Sequence, residues 1–232
     1  MKSLEELLNI SEQLEMQGDL KTSARIDEEV EKIIKEASKD LHKSGLKLDT
    51  VNNHKTLLEN YTKAMKSLEK EYRRAMKSNN EIDSPNEGSL RMITGSYAHN
   101  CNAVRFHEMY FEDIIDSKPY PIKDNGQDLF KELYEGGYST FEKEIFRLSK
   151  VPRNGWVLLN YCLLTKQLYL NAIDLHDHHV IAVSVPVMVL DMWEHAYYAD
   201  FGLDKEKYVE WFLSRVDWRN PTKRIKALQR VK

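Results

Sequence analysis

Asp191 and His195 stand four residues apart in Asp191-Met192-Trp193-Glu194-His195-Ala196-Tyr197-Tyr198, just after a strongly apolar run. A carboxylate is a hard oxygen ligand and an imidazole a borderline nitrogen ligand, a combination that suits iron, manganese or zinc. Buried with neither metal nor partner, the pair would be costly. The spacing alone carries little weight, because a helix readily sets a solvated Asp beside a His. A metal site needs further donors. The chain offers His42, His54, His99, His107, His176, His178, His179 and His195.

Three of these have informative neighbours. His107 shares a helical face with Val104, Tyr110 and Phe111, where a lone histidine is ordinarily a satisfied core residue. His54 opens a helix and lies seven residues before Tyr61, two turns along the same face. His176 precedes Asp191 by fifteen residues and sits with His178 and His179, a setting equally suited to a polar turn. His178 and His179 read as a solvated turn, and His42 and His99 as surface or loop residues.

The elements that must position these groups follow from periodicity. Residues 1–40 read as a helical pair, with Leu4, Leu7, Leu8 and Leu14 on one stripe and Ile26, Val30, Ile33, Ile34 and Ala37 on a second. A long helix is expected from about Thr50, with Leu57, Leu58, Tyr61, Met65, Leu68 and Tyr72 on its packed face. Residues 79–88 read as a loop, 103–115 as a helix and 117–126 as a linker carrying Pro119, Pro121 and the Asn125-Gly126 turn signal. Helices follow at 127–134 and 139–148. Residues 155–162, 167–173 and 183–191 read as three antiparallel strands. An amphipathic helix over 204–216, using Tyr208, Trp211, Phe212 and Val216, closes the pattern. The fold class is therefore α+β. A helical extension over 1–42 precedes a helical hairpin domain over 43–117 and an α/β domain with a small three-stranded sheet over 118–232.

Composition narrows the function. The chain has 232 residues and a net charge of -3, so no global signal points to nucleic acid. Residues 1–40 carry 11 acidic against 6 basic side chains, whereas 219–232 carry 6 basic and no acidic ones. The basic tail reads as a solvated, frayed end. Cys101 and Cys162 lie far apart, which favours a reducing, cytoplasmic setting over a disulfide framework. No secretory segment is legible at the N-terminus. The apolar run over 180–190 is too short for a membrane span and contains Ser184 and Pro186.

The octapeptide at 191–198 resembles the C-terminal signature of the iron/manganese superoxide dismutase family, D-x-W-E-H-A-Y. The stretch from Asn102 through His107 to Ile114 is similar to the family's second-ligand helix, an Asn followed by H-x-x-[FY]-[FW]-x-x-[LI]. His54 and Tyr61 match H-x-x-L-[YL]-x-x-Y in one subgroup. Leu57 and Leu58 stand where the commoner H-H-x-x-x-Y pattern has an extra histidine that links the gateway tyrosine to the partner subunit. Leu158 replaces the second Trp of a G-W-x-W segment that begins at Gly155-Trp156. The likeness spans roughly 50–224 and leaves residues 1–40 outside it.

This resemblance implies a mononuclear iron or manganese site, one ion per chain, held by His54, His107, Asp191 and His195. It implies conversion of two superoxide anions to dioxygen and hydrogen peroxide. Tyr61 becomes the gateway residue and His176 the hydrogen-bonding partner of solvent at the metal, with Trp193, Trp156 and Phe111 walling the pocket. Glu194 and Tyr198 become dimer-interface residues of a homodimer or higher homo-oligomer. Two competing readings are a superoxide dismutase-like interaction protein docking a partner through residues 1–40, and a hydrolase or oxygenase using zinc or iron. The bulky aromatic shell favours a site that admits only small molecules over the latter.

Overall fold

The structure is a computed structural model and describes residues 46–77, 88–114, 120–151 and 155–230. The helical pair expected over 1–40, the loop at 79–87 and His42 lie outside these residues. Helices α1 (Leu48–Lys77) and α2 (Gly88–Asp113) pack on each other as a long hairpin. Short helices α3 (Ile122–Asn125) and α4 (Gln127–Leu133) lead into α5 (Gly137–Ser149). Strands β1 (Trp156–Cys162), β2 (Leu168–Ile173) and β3 (Ser184–Asp191) form the sheet. Helices α6 (Glu194–Phe201), α7 (Lys205–Arg215) and α8 (Arg219–Gln229) follow.

The sheet is antiparallel throughout in the order β2-β1-β3. Central β1 is buried from Trp156 to Tyr161, which explains its apolar run over 156–159. Trp156 faces Ile173 on one side and Asp191 on the other, so the last residue of β3 is held in register inside the core. β3 is an edge strand and tolerates Pro186, which has no N–H to offer the ladder. The register shifts there, between Leu159 and Asn160 of β1. Val187, the residue passed over, turns its carbonyl to the Arg224 guanidinium at 2.8 Å.

In α1, Val51, His54 and Leu58 are buried at spacings of three and four, and Tyr61 continues the face half-buried. The distal part of the hairpin differs from expectation. Met65 and Leu68 are half-buried and Tyr72 is 38% exposed, since among the described residues the sheet and the later helices pack on the proximal end of the hairpin. Helix α2 begins at Gly88, well before the expected residue 103. Its first half carries little apolar periodicity and gains its support by packing along α1.

The C-terminal segment is the clearest correction. The basic tail is not a frayed end: residues 219–229 form α8, with Pro221 and Ile225 buried. Proline is tolerated in a first helical turn, where backbone N–H groups have no intrahelical partner. Arg224 reaches inward and donates to both carboxylate oxygens of fully buried Asp113, at 2.7 and 2.9 Å. Removing one member of a buried pair strands the other without solvation. Arg224→Ala is therefore expected to destabilise the fold by roughly 3 kcal/mol in urea unfolding. A loss below about 0.5 kcal/mol, the size of an ordinary surface change, would contradict this role for the pair.

Candidate metal centre

Four elements each deliver one donor to a common point. His54 comes from α1, His107 from α2, Asp191 from the end of β3 and His195 from the first turn of α6. The turn between β3 and α6 is fixed by Asp191 itself, whose Oδ1 accepts from the Trp193 backbone N–H at 2.9 Å. That leaves Oδ2 facing inward. The Nε2 atoms of His195, His54 and His107 lie 3.3, 3.4 and 3.7 Å from it. Ligand atoms each about 2.1 Å from one ion stand roughly 3–4 Å apart. All four donor atoms lie within 4.8 Å of one another.

The hydrogen-bond roles show that His107 does not satisfy Asp191. His107 Nδ1 lies 2.7 Å from the Ala103 carbonyl, which can only accept, so the ring proton resides on Nδ1. The Nε2 lone pair of a neutral His107 therefore points at a carboxylate oxygen. Burial keeps that imidazole neutral, lowering its pKa to about 3 against the pull of Asp191. Burial likewise lowers His54, again against Asp191. For Asp191 burial acts upward, but His195 and His54 hold the carboxyl far below its usual range. His54 Nε2, His107 Nε2, His195 Nε2 and Asp191 Oδ2 are all buried without a hydrogen-bond partner. Four donor atoms converging on one buried point, with the His107 lone pair facing a carboxylate oxygen, suit a cation between them, so the residues fit a metal ion.

The sequence-derived neighbours gather around this set. Trp156 Nε1–H donates to His176 Nδ1 at 2.9 Å. An indole N–H can only donate, so His176 carries its own proton on Nε2 and donates it to the Tyr61 hydroxyl at 3.1 Å. Burial, with His99 adding to it, lowers the His176 pKa to about 4, which keeps this tautomer neutral. Burial raises the Tyr61 pKa, and the Asp191 charge adds to that. Its hydroxyl hydrogen remains free to donate into the pocket. Phe111 lies 5.6 Å ring to ring from His54, and Trp193 stacks near the His195 ring at 6.4 Å.

Leu58 is buried where the commoner family pattern has a histidine, and Leu158 is buried within β1. Glu194 and Tyr198 are exposed on one side of α6, one turn apart, and Tyr198 is 55% exposed. His178 and His179 lie in the turn after β2 and are exposed.

His99 was not expected here. It lies in α2, two turns before His107, with its ring 4.6 Å from that of His176 and its Nδ1 3.1 Å from Asp177 Oδ1. Asn102 Nδ2 donates to the His176 carbonyl at 3.0 Å. These two contacts tie the 174–179 turn to α2. The helical offset from His107 was the one signal that could have revealed them. Behind His54, the buried hydroxyls of Tyr110 and Tyr208 lie 3.2 Å apart.

Residues 128–224 match the family model described as iron/manganese superoxide dismutases, C-terminal domain. A superoxide dismutase [Mn] of Halobacterium salinarum is 32% identical over 125 residues, 53% of this chain and 61% of that protein. A superoxide dismutase [Fe] of Methanothermobacter marburgensis is 36% identical over 94 residues, covering 40% and 46%. A superoxide dismutase [Mn/Fe] of Aeropyrum pernix is 26% identical over 195 residues, covering 81% and 84%. The matches to the first two span less than two thirds of those relatives' own length. Over residues 128–224 the chain is thus similar to the C-terminal domain of iron/manganese superoxide dismutases.

The lowered imidazole pKa values fix a pH dependence. Folded His107 and His176 titrate near 3 and 4, while the unfolded imidazoles titrate near 6.5. Below pH 6.5 the unfolded chain binds more protons, so the metal-free protein should lose stability as pH falls from 6.5 toward 4. His176→Gln keeps an acceptor for Trp156 and a donor for Tyr61 but cannot titrate. Urea unfolding between pH 7 and 4.5 should show a slope shallower than wild type by up to about 1.4 kcal/mol per pH unit. An unchanged slope would mean that His176 is protonated in the fold.

Proposed function

We propose that this protein is a superoxide dismutase that holds one iron or manganese ion per chain through His54, His107, Asp191 and His195. The observation that carries this reading is the convergence of four buried, unpartnered donor atoms, with the His107 tautomer set for coordination through Nε2. The relatives are named for manganese, iron or both, and the donor set suits either. When bound, the ion supplies a one-electron couple between its trivalent and divalent states.

The chain's own residues perform the remaining tasks. Three neutral imidazoles and one carboxylate compensate only one unit of the ion's charge, so the pocket stays attractive to a small anion such as superoxide. Aromatic rings of Tyr61, Phe111, Trp156 and Trp193 exclude larger molecules. Tyr61 holds a proton on its hydroxyl at the pocket, and His176 donates to the same oxygen, which keeps that hydrogen directed away from His176. Reduction of superoxide to peroxide consumes protons, and a hydroxyl so placed is suited to deliver them. Trp156 fixes the orientation of His176 and thereby that of Tyr61.

The further assignments extend this reading. Glu194 and Tyr198 form the interface of a homodimer or larger homo-oligomer. Residues 43–117 and 118–232 are its two structural units, and 1–42 is an extension, of which residues 1–40 are the candidate segment for a protein partner. The wide separation of Cys101 and Cys162, with no Cys-x-x-Cys pair, supports a cytoplasmic setting.

The decisive experiment measures bound metal and superoxide removal for wild type, His107→Ala, Asp191→Ala and Tyr61→Phe. Wild type should carry about one iron or manganese per chain and be active. The two ligand variants should lose both metal and activity. Tyr61→Phe should keep its metal and turn over about 10–100-fold more slowly. A metal-loaded but inactive wild type, or stoichiometric zinc, would defeat the proposal. For the interface, Glu194→Ala should shift the light-scattering mass toward the monomer, and an unchanged mass would remove Glu194 from it.

A further inference from the structure

An open cleft of about 770 Å3 lies between α3, α4 and α8, and its charged lining residues are Lys123, Asp128, Arg219, Lys223, Lys226 and Arg230. None of these residues belongs to the metal centre. Along α8 and its C-cap, Arg219, Lys223, Lys226 and Arg230 are spaced by four, three and four. At 100° per residue these positions fall in a stripe roughly 60° wide that rises about 16 Å along the axis. The opposite side of α8 supplies buried Pro221 and Ile225 and the inward ion pair of Arg224.

This stripe is unfavourable for the helix by itself. Like charges three and four residues apart repel. The helix dipole welcomes Lys226 and Arg230 near the C-terminus but opposes Arg219 and Lys223 nearer the start. Compensation is sparse. Arg219 is bonded to Asp217 at 2.9 and 2.6 Å and lies on the Tyr120 ring at 3.3 Å. Lys123, Lys223, Lys226 and Arg230 form no ion pair among the described residues. Asp128, the one acid among the lining residues, pairs with Lys131 at 3.3 Å. The chain as a whole is acidic, with a net charge of -3, so the cluster does not reflect a globally basic protein.

We propose that this cleft binds a phosphate chain, the anhydride-linked phosphates of an inorganic polyphosphate or of a nucleotide's tail. Lysine and arginine are the side chains that recognise phosphate oxygens, Lys as a point charge and Arg through its fork. A row of cations spread over about 16 Å exceeds what one phosphate ion can reach and suits a linear series of them. Binding to single-stranded nucleic acid draws on aromatic faces for base stacking. Tyr120, the ring stacked beside the stripe, is covered by Arg219.

Calorimetric titration of the full chain with tripolyphosphate, ATP and a thymidine oligonucleotide tests the assignment at low and at about 200 mM salt. Tripolyphosphate should bind, with affinity falling steeply as salt rises. Equal affinity for ATP would locate recognition in the phosphate chain, and tighter ATP binding would add a nucleoside contact to it. The triple variant K223Q/K226Q/R230Q should weaken binding at least tenfold without lowering the thermal midpoint, because it relieves like-charge repulsion. K223R/K226R should retain binding, and K143Q, on α5, should behave as wild type. Absence of phosphate binding would overturn the proposal. So would binding that survives in the triple variant, as chelation of a bound metal would, or an oligonucleotide that binds more tightly than tripolyphosphate.

Discussion

Four donor atoms converge at one buried point of this molecule, and the rest of the fold is arranged around that fact. A neutral imidazole whose Nδ1 proton is committed to a backbone carbonyl must present its Nε2 lone pair, and His107 presents it to a carboxylate oxygen. His54 and His195 bring their Nε2 atoms to the same oxygen. Without a cation between them these groups lose their hydration, and the His107 lone pair meets a carboxylate oxygen. With one, the same geometry becomes a preorganised coordination site. Metal affinity here is therefore also folding free energy, since the unfolded chain has no such site.

The two halves of the described structure meet at this point. The hairpin contributes His54 and His107 from facing helices, and the sheet with its following helix contributes Asp191 and His195. The arrangement tolerates little slack, because β3 is locked to β1 at Trp156 and the Asp191 carboxylate is oriented by the Trp193 amide. Polar ties join the halves elsewhere. Thr50 bonds to Asp200 at 2.5 Å, and Arg224 bridges Asp113 of α2 and Val187 of β3. Such cross-ties do for the ligand set what its own repulsion cannot, and hold four donors from remote positions at one spot.

Much of this was legible in the chain. The strands expected at 155–162, 167–173 and 183–191 and the helices expected at 127–134, 139–148 and 204–216 all form, within two residues of those bounds. The four donor positions were legible through the resemblance of 102–114 and 191–198 to family motifs, since the spacing of Asp191 and His195 alone carries little weight. What escaped depends on long-range partners. The charges of α8 suggested a solvated tail, because neither the buried seats of Pro221 and Ile225 nor the Asp113 partner of Arg224 is written locally. The first half of α2 has weak periodicity and relies on α1. Tyr72 fits an apolar stripe, yet the stripe outruns the layer that covers it. His99 reads locally as a surface or loop residue because its partners, Asp177 and His176, lie more than seventy residues away.

The position of His176 shows why residue identity at this site is decided by bond polarity rather than by charge. The indole of Trp156 can only donate, and the Tyr61 oxygen is met by the opposite end of the same ring. The intervening residue must therefore accept at one end and donate at the other. A neutral imidazole does so in one tautomer, and a carboxamide does so in one flip state. A protonated imidazole has two donors and would confront the indole N–H with a second hydrogen. The lowering of the His176 pKa by burial and by His99 thus acts in the direction the hydrogen bonds already require. Buried Trp156 then has a consequence beyond packing: it sets the His176 tautomer, which orients the Tyr61 hydroxyl and leaves its proton available to the pocket.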